Sequence, residues 1–158
     1  MVRATIDQQT MLKFLSLEMT VGYKLRRAQL AVFQDFIDTF ADIRLRPAEF
    51  AVISIIAANP GQKQAAIAEM LGIKPANLVA LIDGIEKRGL AERRRGDADR
   101  RTYALYLTAK GEQFVSRMYT VWHDHESRMI ERLGGEAERD RLIALLNRLT
   151  EPQPGTEG

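Results

Sequence analysis

The densest chemistry in the chain lies in nine consecutive residues, Arg93-Arg94-Arg95-Gly96-Asp97-Ala98-Asp99-Arg100-Arg101. Five guanidiniums sit there, each permanently charged, flat and rich in donors. Such groups suit phosphate oxygens and the electronegative floor of a narrow minor groove. Arg100 and Arg101 fall at or beside the tip of an expected hairpin, where a groove could admit them. Asp99, two residues before Arg101, is placed to hold that arginine's fork. Arg93, Arg94 and Arg95 fit phosphate contact or steering of association better than reading of sequence. Alternatively, one or two of them only cover the hairpin with their stems. The carboxylates belong to a basic, exposed loop, a poor place to shift a pKa for acid–base catalysis.

A second group precedes the arginines. Pro75 suits the first position of a helix, and that helix runs to about Arg88. Its inward stripe is Leu78, Leu81, Ile82 and Ile85. Its other face presents Ala76, Asn77, Ala80, Asp83, Gly84 and Lys87. Asn77 has the geometry for a bidentate contact to adenine, and the alanines can pack on thymine methyls. Lys74 places a cation where the helix dipole opposes it, a conflict that a bound phosphate would remove. From Gly61 to Lys110 there are ten Lys and Arg against six acids, a net of +4, whereas the whole chain carries +2. Basic charge concentrated on one block is the footprint of a nucleic-acid face.

Other chemistries find little support. The sequence has no cysteine, which removes disulfides and thiol catalysis. It has no Gly-rich phosphate loop, no HExxH and no GxSxG, so neither an enzyme nor a cofactor is expected. The only histidines, His123 and His125, are two apart on a helix and point to different sides, so no metal site is expected. No apolar run approaches the ~20 residues of a membrane span, and the N-terminus lacks the apolar core of a signal peptide; a cytoplasmic protein with no membrane partner is expected.

The elements that must position these groups follow from periodicity. The 158 residues, 46% hydrophobic and 28% charged, suit one domain or two small lobes sharing a core. Apolar residues recur at helical spacing from about Gln8 to Phe40, giving a long helix of roughly 45–50 Å, with a possible break near Gly22. Asp42 to Leu45 interrupts it. Pro47 starts a helix that is apolar nearly all round, stopped at Asn59-Pro60-Gly61. Gln62 to Leu71 is the next helix, and Gly72 supplies a turn. Gly89 closes the helix from Pro75. Leu90 to Arg95 and Thr102 to Leu107 are the two strands of the hairpin, with Tyr103, Leu105 and Leu107 alternating on one face. Thr108 caps a further long helix ended by Gly134-Gly135, and Glu136 to Leu149 forms the last, with a seam of Leu142, Leu145, Leu146 and Leu149.

The fold class is therefore mainly α with a small β-hairpin wing: a winged helix-turn-helix over 46–111, flanked by N- and C-terminal dimerisation helices at 8–40 and 112–149. Residues 150–158 form a disordered tail rich in Pro and Gly. The flanking helices carry more apolar surface than one small domain uses, and a second copy is the economical explanation. The alternative is that the first helix wraps over its own core. A helical module binding some other protein, without sequence-specific DNA contact, also remains open.

The segments Ile85-Glu86-Lys87-Arg88-Gly89-Leu90, Asp99-Arg100-Arg101 and Leu107-Thr108-Ala109-Lys110-Gly111, at these spacings and after Pro75-Ala76-Asn77-Leu78-Val79, resemble the MarR family of transcriptional regulators. The likeness runs from about Phe14 to Leu149. It implies a homodimer on a palindromic double-stranded operator, usually a repressor, released by a small molecule. It implies that Asp99 holds Arg101 for the minor groove. The recognition helix departs from the family's common pattern, having Ala76 and Asn77 after the proline and no arginine further along. The resemblance also implies an effector pocket between the DNA-binding lobe and the dimerisation helices. By residue type its candidates are Tyr23, Arg26, Arg27, Leu30 and Phe33 on the first helix, Arg46 and Ile53 near the second, and Met118, Trp122 and His125 on the fifth. Arginines beside aromatics suggest an aromatic carboxylate or its CoA thioester.

Overall fold

A computed structural model describes residues 16–95 and 103–151. In chain order the elements are α1 (Val21–Thr39), α2 (Pro47–Ala58), β1 (Gln62–Lys63), α3 (Gln64–Leu71), α4 (Pro75–Lys87), β2 (Ala91–Arg95), β3 (Tyr103–Leu107), α5 (Ala109–Leu133) and α6 (Glu136–Thr150). The fold is mainly α with a small wing, as the periodicity requires. No single helix among the described residues is long and apolar enough to cross a membrane.

Three boundaries differ from the sequence expectation. Among the described residues the first α-helix begins at Val21, so α1 has 19 residues and spans about 28 Å. A short 3₁₀ turn, Leu17–Met19, and an extended Thr20 precede it. The break falls ahead of Gly22, which lies inside the helix. Thr20 Oγ1 donates to the Ser16 carbonyl, a local side-chain bond of the kind that competes with helix propagation. Residues 8–15 of the expected helix lie outside the described residues.

The second difference is a third strand. Gln62 and Lys63 pair antiparallel with β3, Gln62 opposite Leu105 and Lys63 opposite Ala104, giving the order β1-β3-β2. Two residues are too few for alternation to reveal a strand. In the third, the Asp42–Leu45 interruption is an ordered corner: a 3₁₀ turn at Ala41–Ile43, then Arg44 at φ +50. Ile43 and Leu45 on either side are buried and hold the chain in this left-handed step.

Local chemistry explains the other ends. Pro47 occupies the first position of α2, and Glu49 reaches back to accept from the Arg46 N–H at 3.0 Å. Gly72, at φ +62, ends α3, and α4 departs at 112°, within the range of a helix-turn-helix. Thr108 caps α5, its hydroxyl accepting from the Gly111 N–H at 3.0 Å and donating to the Gly89 carbonyl at 2.6 Å. Gly134, at φ +101, ends α5.

The core gathers Val52, Ile53 and Ile56 of α2, Ile67 of α3, Leu78, Ile82 and Ile85 of α4, and Leu105 of β3. Phe36 of α1 and Phe40 just past its end stack at 3.8 Å and receive the edge of Phe50 at 5.5 and 5.6 Å. Against this, α6 has no buried residue and α1 buries only Phe36. The expected leucine seam of α6 stands open, with Leu145 50% and Leu149 62% exposed.

Candidate nucleic-acid interface and adjoining cavity

α4 presents the face its sequence promised. Leu78, Ile82 and Ile85 are buried; Lys74, Ala76, Asn77, Ala80 and Lys87 are exposed. Lys74 is in an extended conformation at the N-cap and makes no side-chain cap, so its ammonium group stands at the start of the helix, where a phosphate would offset the dipole.

The arginines divide. Arg93 does not stand free for phosphate. Its guanidinium reaches Asp83 Oδ1 at 2.7 Å and Glu86 Oε2, and its backbone N–H donates to Glu86 Oε1 at 2.8 Å. Asp83 and Glu86 are three apart on α4 and so share a face; β2 runs beside that face. Arg93 therefore ties the wing to the recognition helix. Arg94 lies over the Tyr106 ring at 4.4 Å and pairs with Glu92, which is the hairpin-covering alternative. Arg95 is the last residue of β2, opposite Tyr103. Asp99, Arg100 and Arg101 lie outside the described residues.

Sequence reasoning missed what Arg88 does. Its guanidinium donates to the carbonyls of Arg44 and Ile43, each at 3.1 Å, and lies over the Phe114 ring at 5.2 Å. Lys110 Nζ donates to the Arg88 carbonyl at 2.7 Å. A Cβ on Gly111 would stand 1.9 Å from the Leu90 carbonyl oxygen. The segments 85–90 and 107–111 thus lock the end of α4 to the start of α5. Within the EKRGL and LTAKG strings, Arg88, Lys110 and Gly111 therefore hold α4 in place.

Between α1, α2, α4 and α5 lies a cavity of about 800 Å³. Phe33 and Phe36 line it from α1, Phe50 from α2, Asn77, Ala80 and Leu81 from α4, and Trp122, His125 and Glu126 from α5. Of the residues expected there, Phe33, Trp122 and His125 are present. Tyr23, Arg26, Arg27 and Leu30 do not border it; the arginines precede Phe33 by about two helical turns. Arg46 lines a different cleft with Arg44, Arg88 and Arg117. Ile53 is sealed in the core, and Met118 borders a smaller apolar cleft behind Phe50 and Trp122. Among the described residues no Lys or Arg lines the cavity, and Glu126 is its one carboxylate. The expectation of arginines beside aromatics in a single pocket is not met.

Behind His125 stands an ion cluster that the sequence did not disclose. Asp35 Oδ2 lies 2.7 Å from His125 Nδ1 and 2.8 Å from Arg128 Nη2. The hydrogen bond from Arg128, then that from His125, lowers the Asp35 pKa to about 2, against the opposing cost of burial. His125 and Arg128 are three apart on α5, and Asp35 sits one residue before the buried Phe36. That pattern of a carboxylate beside a core residue was the available clue. His123, by contrast, is exposed and lies beside Tyr119 at 6.5 Å.

Comparison with known proteins agrees with this geometry. A sequence model of the MarR family matches residues 45–102. A putative transcriptional regulatory protein for the hcr operon of Thauera aromatica is 33% identical over 130 residues, covering 82% of this chain and 78% of its own. The transcriptional repressor CouR bound to a 23-mer DNA duplex is 41% identical, with a TM-score of 0.82 and coverage of 87% and 97%. CouR bound to p-coumaroyl-CoA is 40% identical, with a TM-score of 0.79 and coverage of 89% and 98%. With a helix-turn-helix, a wing braced against it and relatives that regulate transcription, this chain belongs to the MarR family of DNA-binding transcriptional regulators and is not an enzyme.

Proposed function

We propose that this protein is a homodimeric repressor that binds a palindromic operator and releases it when an aryl-CoA thioester enters the cavity between α1, α2, α4 and α5. One observation carries the reading. The same cavity is bordered by Asn77 and Ala80 of the DNA-reading helix and by Phe33 and Trp122 of the helices outside that lobe. A ligand placed there touches both units at once and can favour one arrangement over the other, which is what effector control requires.

The lining also selects between ligand classes. A free aromatic carboxylate buried there would meet Glu126 with no cation to offset it, at a high desolvation cost. A thioester carries the same ring without that charge and leaves the anionic part of the CoA outside. The relative solved with p-coumaroyl-CoA supports this choice. Residues 46–111 act as the DNA-binding unit, and α1, α5 and α6 supply the dimer contact, where Leu25, Ile37, Leu145 and Leu149 are exposed. Lys74, Ala76, Asn77, Ala80 and Lys87 face the operator, along with the wing residues Asp99, Arg100 and Arg101. Two such helices read half-sites about 10 bp apart, centre to centre. The setting is the cytoplasm, where the operator is.

The test is a gel shift on DNA upstream of the protein's own gene, with and without 4-hydroxycinnamoyl-CoA and free 4-hydroxycinnamate. The thioester releases the DNA and the free acid does not. Lys74→Ala weakens all sites evenly and lowers the salt slope by about 1. An operator complex indifferent to every thioester would refute the effector assignment.

A further inference from the structure

The cavity is apolar apart from a few groups, and His125 is the one whose chemistry is already fixed by its neighbours. Its side chain is almost wholly buried, with the Phe36 ring edge-on at 5.5 Å. Asp35 is ionised across the working pH range, because Arg128 and His125 hold its pKa far below the usual carboxylate range. An ionised carboxylate only accepts hydrogen bonds, so the Nδ1 facing Asp35 at 2.7 Å must carry the proton. With that proton fixed on Nδ1, a neutral imidazole bears its lone pair on Nε2.

No described residue hydrogen-bonds Nε2. His125 lines the 800 Å³ cavity, and with Nδ1 taken by Asp35, Nε2 is the ring nitrogen it has left for a ligand there. In its neutral form His125 thus offers an acceptor on a wall shared with Phe33, Phe36 and Trp122. Such a group is satisfied by a ligand O–H and is left desolvated by a bare ring.

We propose that His125 Nε2 is the specificity-determining acceptor for a ring hydroxyl of the effector, with Asp35 as the positioning residue behind it, so that the cavity selects hydroxylated aryl groups over unsubstituted ones. This rests on the reading of the cavity as an aryl-thioester site and names the feature of the ring that the site recognises. Arg128 and Thr39, which also bond the Asp35 cluster, keep the carboxylate aimed at Nδ1. Glu126, the carboxylate on the cavity wall, disfavours a ring substituent that is itself anionic, so the preference is for a neutral hydroxyl.

The sequence contains one tryptophan, Trp122, and it lines the cavity, so its fluorescence reports binding directly. Titrations with 4-hydroxycinnamoyl-CoA and cinnamoyl-CoA differ by a single hydroxyl. The full-length wild type binds the hydroxylated thioester about 10- to 100-fold more tightly. His125→Phe loses that preference: the two thioesters then bind within about threefold of each other. Asp35→Asn keeps the imidazole but can donate to Nδ1, which moves the proton to Nε2; it reduces the preference as well. Equal wild-type affinities, or a preference that survives His125→Phe, overturn the role of His125 while leaving the thioester reading intact. If neither thioester changes the fluorescence or the operator complex, that reading fails and this inference fails with it.

Discussion

Between Pro47 and Leu107 the chain seals Val52, Ile53, Ile56, Ile67, Ile82, Ile85 and Leu105 completely, while α6 seals nothing and leaves Leu145 and Leu149 in the open. Both regions are rich in leucine and isoleucine, so composition does not separate them. The difference lies in what is available to pack against. In the winged-helix lobe, α2 is flanked by α3, α4 and β3, and its apolar residues find partners within about 60 residues of chain. Among the described residues the helix α6 packs mainly against α5. Burial inside the lobe contributes folding stability to one chain; burial at the ends must come from another surface. The ionic groups divide in the same way. Arg88 and Arg93 fasten the lobe internally, and the Asp35 cluster joins α1 to α5, both outside it.

The largest effect is expected where the regions meet. Gly111→Ala places a methyl group 1.9 Å from the Leu90 carbonyl oxygen, a backbone atom that cannot rotate away. It lowers stability by about 4 kcal/mol or more, read by chemical denaturation. A loss below about 1 kcal/mol would mean that α5 is not fixed to the lobe at this point. Next comes a matched pair. Ile53→Ala costs about 3 kcal/mol, because the site is enclosed on all sides and cannot collapse. Leu145→Ala changes the stability of a dilute, dissociated chain by less than about 0.5 kcal/mol but raises the dimer dissociation constant in sedimentation experiments. Equal costs for the two substitutions in dilute protein would erase the contrast.

The smallest effect belongs to Asp35. Its carboxyl pKa is depressed from an ordinary 3.8 to about 2. A depressed carboxylate stabilises the fold above the unfolded value and loses that contribution as pH falls through the folded one. Its partly open setting reduces the gain to about 1 kcal/mol. Denaturation curves between pH 5 and pH 2 should show the wild type losing about 1 kcal/mol more than Asp35→Asn over that interval. Parallel curves would mean that the cluster does not fasten α1 to α5.

Much of this was legible in the residues. Pro47 and Pro75 mark helix starts, Gly72, Gly89 and Gly134 mark stops, and Thr108 is the cap it looked to be. Those signals act within a few positions of the chain, so a linear reading captures them. The outward face of α4 was legible because burial follows a 3.6-residue period. The site was legible in part. Phe33, Trp122 and His125 belonged to the cavity by type and helix. Arg26, Arg27 and Arg46 were assigned to it by chemistry alone, and chemistry does not say which wall a side chain occupies.

What the sequence determined, then, is the set of elements, the face of α4 that turns outward and the basic wing that follows it, since each depends on local sterics and periodicity. What only the tertiary structure decided is the use of particular charges. Arg93 and Arg94 are neighbours of one type, yet Arg93 grips Asp83 and Glu86 and Arg94 lies on Tyr106. Asp35 and His125 are 90 residues apart and meet at 2.7 Å. Whether a charge is matched within the fold or left for a ligand depends on distances across elements, and those are set by packing, which no spacing along the chain records.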